Sequence, residues 1–268
     1  MKIIVFADVH YFAGDIETAI FNTDKKLVRY ALPMLDKLTE KINNEHMADL
    51  AVNLGDIIQD TTKKEEDIPA LSFMFGRLKK MNCPCYCILG NHDLKMMDSV
   101  QEVEELLGYK TTRSVDKDGW HLVFLTTEVR CELGTERGGC YKAQYLSSES
   151  ISWLREDLEK NKLPCLIFTH YALAEDESVN DECMFMKNRA EVKEILRGDK
   201  NVKAVFSGHQ HVNKVIAEDG ITYFILGSMI SNQGAEHKIP DGVYFEIDLK
   251  GENVTVNLRK IYREELTI

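Results

Sequence analysis

No run in this 268-residue chain approaches the ~18 consecutive apolar residues that span a bilayer, so no membrane-spanning helix is expected. The opening MKIIVFADVH has too short an apolar run for a secretion signal and meets a charged motif at once; it reads as a first strand. Positive charge is in deficit: 33 Lys and Arg face 44 Asp and Glu, a formal net charge of −11. Nucleic-acid binding rests on many Lys and Arg contacts to phosphate. No basic, aromatic-lined patch stands out either, so nucleic acid is not an expected partner. Bound divalent cations can still make one cleft locally positive. Repeats, low-complexity tracts and Pro/Ser-rich linkers are absent, so one domain over residues 1–268 is expected. The seven cysteines are odd in number, in a chain large enough to stabilise its own core, which argues against a disulfide scaffold. Cys83, Cys85 and Cys87 alternate in CPCYC and would share one face of a strand, at a spacing that matches no C-x-x-C zinc pattern. Small buried thiols in a reduced cytoplasm are the expectation.

What is present is an alternation of short apolar runs and helical stretches. KIIVFA (2–7) precedes a helix over 24–46, striped by Leu27, Leu32, Leu35, Leu38 and Ile42. DLAVNL (49–54) precedes a helix over 64–81, and YCIL (86–89) one over 98–107. GWHLVFLTT (119–127) reads as a strand, and SSESISWLREDLEK (147–160) as a helix with an N-cap serine and an acidic first turn. LPCLIFT (163–169) and VKAVFS (202–207) read as strands around a helix near 186–197. The tail predicts two hairpins, turning at Asp219-Gly220 and at Lys250-Gly251. Together these predict a mixed sheet system with helices outside.

Five apolar runs end in polar clusters: IIVFADVH, AVNLGD, YCILGNHD, CLIFTH and KAVFSGHQH. Ligands of open α/β sheets bind beyond the carboxyl ends of the strands. That placement aims Asp8, His10, Asp56, Asn91, His92, His170, His209 and His211 at one crevice. Five of the eight histidines fall in these clusters. Asp8 and His10, like His209 and His211, are two apart and project to one side if the backbone is extended. Adjacent Asn91 and His92 point apart and so serve different roles. Gly55, Gly90 and Gly208 mark sharp turns or close approaches beside them. Carboxylate, imidazole and carboxamide without thiolate suit Mn, Fe, Zn or similar ions. Seven candidate ligands exceed what one ion takes. Two ions ~3.5–4 Å apart, bridged by a carboxylate, accommodate them; such a pair holds phosphate oxygens and generates hydroxide for in-line displacement at phosphorus.

The motifs DVH (8–10), GD (55–56), GNHD (90–93), TH (169–170) and GHQH (208–211), in this order, resemble those of the calcineurin-like metallophosphoesterases. The resemblance implies a four-layer α-β-β-α sandwich, two mixed sheets packed face to face with helices outside. It implies that Asp8, His10 and His211 hold one metal, that Asn91, His170 and His209 hold the second, and that Asp56 bridges them. His92 would stand near the scissile bond and protonate the leaving oxygen, with Asp93 orienting it. An imidazolium suits general-acid work near neutral pH. The implied activity is hydrolysis of a phosphodiester, phosphomonoester or nucleotide pyrophosphate of a small molecule, by hydroxide held between the two metals.

Departures narrow the family. Its protein Ser/Thr phosphatases carry GDxVDRG and GNHE with nearby arginines, whereas GDIIQDTTKK and GNHD stand here. Purple acid phosphatases place a tyrosine ligand three residues after the bridging aspartate, where this chain has Gln59. The small bacterial-type phosphoesterases remain, including cyclic-nucleotide phosphodiesterases and manganese-dependent diphosphatases of nucleotide conjugates. A nuclease of the family competes with this reading, and the acidic balance weighs against it. A non-catalytic metal-dependent binding protein on the fold competes too, and the full set of ligand and acid residues weighs against that.

Each motif alone is ordinary: GNHD as a polar turn, His170 as a hydrogen-bonded core histidine, Asp8 and Asp56 as helix caps. Five in order are not. His46, His121 and His237 fall outside the clusters and read as ordinary histidines, His237 in a loop that could border the cleft. Tyr11, beside His10, is a candidate pocket residue. The loops 130–144, 171–185 and 228–242 are long enough to point to function. Arg130, Arg137 and Lys142 in the first could contact phosphate, or equally well be solvated. Nothing in the sequence sets an oligomeric state.

Overall fold

The computed structural model describes residues 1–15, 26–61, 63–130, 143–231 and 239–261. Its first part runs β1 (Lys2–Phe6), α1 (Ala31–Lys41), β2 (Leu50–Asn53), α2 (Lys64–Leu78), β3 (Cys85–Cys87), α3 (Asn91–Leu94) and α4 (Val100–Leu107). There follow β4 (Arg113–Lys117), β5 (Trp120–Leu125), β6 (Glu128–Arg130), β7 (Ala143–Tyr145), α5 (Ser148–Lys160), β8 (Cys165–Thr169) and α6 (Arg189–Gly198). Last come β9 (Val202–Ser207) and two hairpins, β10 (Lys214–Glu218) with β11 (Ile221–Ile225) and β12 (Val243–Lys250) with β13 (Asn253–Lys260).

Two mixed sheets result, with β6 and β7 forming a separate ribbon. In the first, ordered β13-β12-β1-β2-β3, the last three strands are parallel and β12 runs antiparallel to β1. In the second, ordered β10-β11-β9-β8-β5-β4, the four inner strands are parallel and both edges antiparallel. Alternation along β1 shows how they stack. Ile3 and Val5 join Leu50, Val52, Phe124, Phe168 and Phe206 in a core between the sheets, while Ile4 and Phe6 pack with Leu35 of α1 and Leu71 of α2. The far face of the second sheet buries Val123, Ile167 and Val205 with Leu154 of α5 and Leu196 of α6. The layers are helix, sheet, sheet, helix, as the resemblance implied. Strands buried on both faces need no polar alternation, which is why they read as continuous apolar runs. Across the inter-sheet core, register neighbours Phe124, Phe168, Phe206 and Phe224 stack in a row with successive centroids 5.3, 5.3 and 5.0 Å apart.

Several boundaries differ from expectation. α1 begins at Ala31 after a single 3-10 turn, and a π turn over Ile42–His46 leads into Met47 at φ 48°. Leu27 belongs to the same apolar stripe and the same core without being helical, so periodicity overstated the helix. The last hairpin turns one residue later than expected: Lys250 pairs with Asn253, and Gly251 takes φ 59° as the first loop residue. The Asp219-Gly220 turn has the two positive φ angles (54° and 80°) of a type I′ hairpin. Asp118-Gly119 repeats it (50° and 80°) between β4 and β5, a hairpin that the reading of 119–127 as a lone strand passed over.

Cys83, Cys85 and Cys87 are free thiols against one core, matching their expected common face. Among the described residues, no helix is long and apolar enough to cross a membrane.

Candidate metal centre

Loops leaving β1, β2, β3, β8 and β9 are laced together by backbone hydrogen bonds. The Asp8 amide donates to Gly55 (3.0 Å), His10 to Asp56 (3.0 Å) and Gly208 to His170 (3.0 Å). Three groups of side chains converge as a result: Asp8, His10 and His211; His10, Asp56 and His92; Asp56, His170 and His209, with ligand atoms in each group within 4.8 Å of one another. Asn91 joins the third, its Oδ1 standing 3.4 Å from His170 Nε2.

The backbone that delivers these groups is not extended, contrary to expectation. Asp8 (φ 56°), His10 (49°), Asp56 (51°), His209 (65°) and His211 (54°) are all left-handed. Such residues cost roughly 1–3 kcal/mol each and persist where the surroundings over-determine them, commonly at functional sites. Close packing is one such constraint. A Cβ on Gly90 would stand 2.6 Å from the Asp56 amide nitrogen, and one on Gly208 2.6 Å from Asp8 Oδ2.

Both buried aspartates divide their oxygens between structure and cleft. Asp8 Oδ2 accepts from the His209 amide (3.1 Å), while Oδ1 faces His211 Nε2 (3.2 Å) and His10 Nε2 (3.6 Å). Asp56 Oδ1 accepts from the His92 amide (2.8 Å), while Oδ2 faces His170 Nε2 (3.4 Å) and His10 Nε2 (3.9 Å). Three of the histidines are held from behind. His170 Nδ1 donates to the Leu54 carbonyl (2.8 Å), so its Nε2 lone pair enters the cluster. His209 Nε2 donates to the Cys183 carbonyl (3.0 Å), which leaves Nδ1 as its free nitrogen. His211 Nδ1 pairs with the Ser231 hydroxyl (3.0 Å), so Nε2 faces inward. Fixing the rear nitrogen in this way selects the tautomer of a metal-binding histidine.

The spacing suits cations. His10 Nε2 and His211 Nε2 face each other at 3.0 Å. Two nitrogens each about 2.1 Å from one ion, meeting at between a right and a tetrahedral angle, stand roughly 3.0–3.4 Å apart. The electrostatics agree for four of these ligands. Burial opposes charge on Asp8 and Asp56, but the neighbouring histidines, led by His211 and His170 respectively, outweigh it and hold both carboxyls well below the usual range. Burial disfavours protonation of His170, yet the Asp56 carboxylate raises it to about 9. Burial and then the charge of His170 push His209 down to about 3, and burial and then Lys26 hold His10 well below its usual value. Ionised carboxylates and neutral imidazoles are the forms that bind metal, so Asp8, Asp56, His10 and His209 stand ready, while His170 must give up its proton to an entering ion.

His92 and Asp93 part company. His92 Nδ1 lies 2.5 Å from Asp60 Oδ1, an oxygen that also accepts from Gln59 Nε2 (3.2 Å). Lys95 holds the other Asp60 oxygen at 2.9 Å. Asp93 does not orient His92: its Oδ1 accepts from the amides of Ile57 (2.9 Å) and Ile58 (3.1 Å), and its Oδ2 from Gly90 (3.0 Å). One helical turn carries Asp93 beneath the loop, so it fastens the GNHD segment to the Asp56 segment. Burial, reinforced by the Asp56 charge, pushes its carboxyl up to about 7. Asp60 was legible only as part of GDIIQD, with no spacing rule to single it out. Lys26 carried no signal at all, yet burial draws its ammonium down to about 8 against the opposing charges of Asp56, Asp8 and Asp60.

Two of the long loops supply the rear contacts, through Cys183 and Ser231. His237, Arg137 and Lys142 lie outside the described residues, as does the side chain of Arg130. Tyr11 lies tilted against Phe73 of α2, with ring centroids 5.3 Å apart. His46 and His121 are engaged elsewhere, His46 Nδ1 with Glu246 (2.6 Å) and His121 with Asp116 and Asp157 (2.6 and 2.8 Å).

A sequence profile of the family described as calcineurin-like phosphoesterase matches residues 1–213. A Fibrobacter succinogenes protein named "probable cyclic nucleotide phosphodiesterase" is 29% identical over 220 residues, 80% of this chain and 78% of its own. The 3′,5′-cyclic adenosine monophosphate phosphodiesterase of Haemophilus influenzae is 25% identical over 217 residues, 79% of this chain and 70% of its own. Among solved structures, a dimetal phosphatase of Danio rerio superposes with a TM-score of 0.74 at 16% identity, covering 97% of this chain and 96% of its own. At that identity the likeness bears on the fold, and it agrees with the four layers.

Proposed function

The chain belongs to the calcineurin-like phosphoesterase family and acts on phosphoester bonds, and we propose that it hydrolyses a small phosphodiester, a cyclic nucleotide first among them, at a pair of metal ions. Asp8, His10 and His211 would hold one ion, and Asn91, His170 and His209 the other, with Asp56 shared. The position of Asp56 Oδ2 carries this reading: it faces nitrogens of both groups, at 3.9 and 3.4 Å. Manganese, iron and zinc suit the donor set. When bound, two such ions polarise phosphate oxygens and lower the pKa of a coordinated water.

The chain's own part is positioning and proton supply. Asp60 pins His92 Nδ1, which leaves Nε2 as the nitrogen able to protonate a leaving oxygen. His92 keeps 20% of its side chain exposed while those of His10 and His170 are fully buried, so a substrate can reach it. Lys26 and Lys95, cationic beside the carboxylates, are placed to meet a phosphate's remaining charge. One domain over 1–268 is part of this proposal, supported by β12, which follows the matched residues and pairs with β1 in the sheet that presents Asp8.

The test is a metal-reconstituted screen across Mn, Fe, Co, Ni and Zn of phosphomonoesters, linear diesters, cyclic nucleotides and nucleotide diphosphate conjugates. Cyclic nucleotides should turn over fastest. Turnover of monoesters or diphosphate conjugates alone would redirect the substrate assignment, and cleavage of single-stranded or duplex DNA would restore the nuclease reading.

A further inference from the structure

One buried polar group beside the cluster has no part in holding or protonating substrate. Tyr171 follows His170 at the end of β8 and is 2% exposed. Its hydroxyl donates to Asn91 Oδ1 at 3.0 Å. Its ring lies tilted against His209 with centroids 4.2 Å apart, and meets His170 edge-on at 5.0 Å. A single side chain thus touches the three residues assigned to the second ion alongside Asp56. Among the described residues, its hydrogen-bond and ring contacts are with these three.

We propose that Tyr171 is a positioning residue that sets the affinity of the second metal position and leaves the first unaffected. The inference rests on the dinuclear reading above. Its physical basis is the weakness of Asn91 as a ligand. A carboxylate offers two equivalent oxygens, whereas an amide offers one oxygen and an NH2 that cannot ligate. The terminal torsion of asparagine is broad and roughly two-fold, so rotation alone does not favour the oxygen. The Tyr171 hydroxyl occupies one lone pair of that oxygen. The other remains available on the side of His170 Nε2, 3.4 Å away. The ring acts on His209 in a complementary way: the Cys183 carbonyl holds the imidazole from behind, and the tyrosine face limits its swing. Groups that orient metal ligands from behind are worth roughly 10–100-fold in affinity.

Tyr171→Phe keeps the ring and removes the hydroxyl. Metal-free protein is titrated with Mn2+, read by the free-ion paramagnetic resonance signal and by metal content after gel filtration. Wild type should take two ions in separable steps. In Tyr171→Phe the second step should weaken about 10–100-fold while the first stays, with the thermal midpoint of the metal-free protein nearly unchanged. Adding Asn91→Asp to that variant supplies two equivalent oxygens and should recover much of the second step. Two wild-type steps in Tyr171→Phe would overturn the proposal, as would equal weakening of both steps. Failure of Asn91→Asp to recover the second step would show that the hydroxyl does not act by orienting the amide, and would overturn it too. Fewer than two ions on wild type would remove the dinuclear reading itself, and this proposal with it.

Discussion

His92 Nδ1 lies 2.5 Å from Asp60 Oδ1, across 32 residues of sequence, and not against its near neighbour Asp93. Burial opposes ionisation of Asp60, but its bonds to His92 and Lys95 prevail and hold its carboxyl below the ordinary value. A charged acceptor therefore fixes which nitrogen of the imidazole is left open.

His92→Ala is expected to retain both metals and lose about 10²–10⁴-fold in kcat on substrates whose leaving oxygen needs a proton. The loss should shrink sharply for activated aryl esters. Asp60→Asn should show the same dependence more weakly, because the amide oxygen still accepts from Nδ1. A leaving-group series on both variants reads this out. Parallel loss of metal and turnover in His92→Ala would sink the general-acid role.

Asp56→Asn removes the oxygen charge that faces both groups, so both ions should weaken, unlike the one-site effect expected at Tyr171. Elemental analysis after dialysis measures it. Two ions retained at wild-type affinity would refute the bridge.

Asp93→Ala leaves the amides of Ile57, Ile58 and Gly90 without their acceptor. Each buried group so orphaned costs about 1–3 kcal/mol, so a stability loss of roughly 3 kcal/mol or more is expected in urea unfolding. Full stability with lost turnover would instead place Asp93 in the chemistry.

His121, between Asp116 and Asp157, supplies a pH signature remote from the cleft. Burial lowers its affinity for a proton, yet the two carboxylates, with Asp157 foremost, raise it above the usual 6.5. The folded state therefore binds the proton more tightly than the unfolded one. The resulting stability is complete below about pH 6.5 and is lost as pH rises through the folded value. His121→Gln should cost on the order of 1.5–3 kcal/mol in mildly acidic solution and progressively less in alkaline solution. Urea midpoints compared across that range check it, and a pH-independent difference would contradict the ion pair.

Much of the site was legible because it is written in residue type and order. Apolar runs ending in Asp, Asn and His mark the strands and the crevice beyond them, and Asp-Gly marks tight hairpins even where, as at 118–119, it was passed over. Two features misled. The family resemblance implied Asp93 as the partner of His92, where Asp60 stands instead, because one helical turn carries Asp93 away. Extended geometry was assumed for Asp8 with His10 and for His209 with His211, where the chain is left-handed.

The sequence by itself determined the family, the alternation of strands and helices, and the eight residues that meet, since polarity, period and motif order are properties of the chain. Only the tertiary structure decided which atoms of those residues face one another. His170 shows its Nε2 to the cluster because the Leu54 carbonyl, 116 residues away, holds Nδ1. His209 shows Nδ1 because a carbonyl of the 171–185 loop holds Nε2. A histidine has two nitrogens and an aspartate two oxygens, chemically alike until a neighbour from another strand takes one of them.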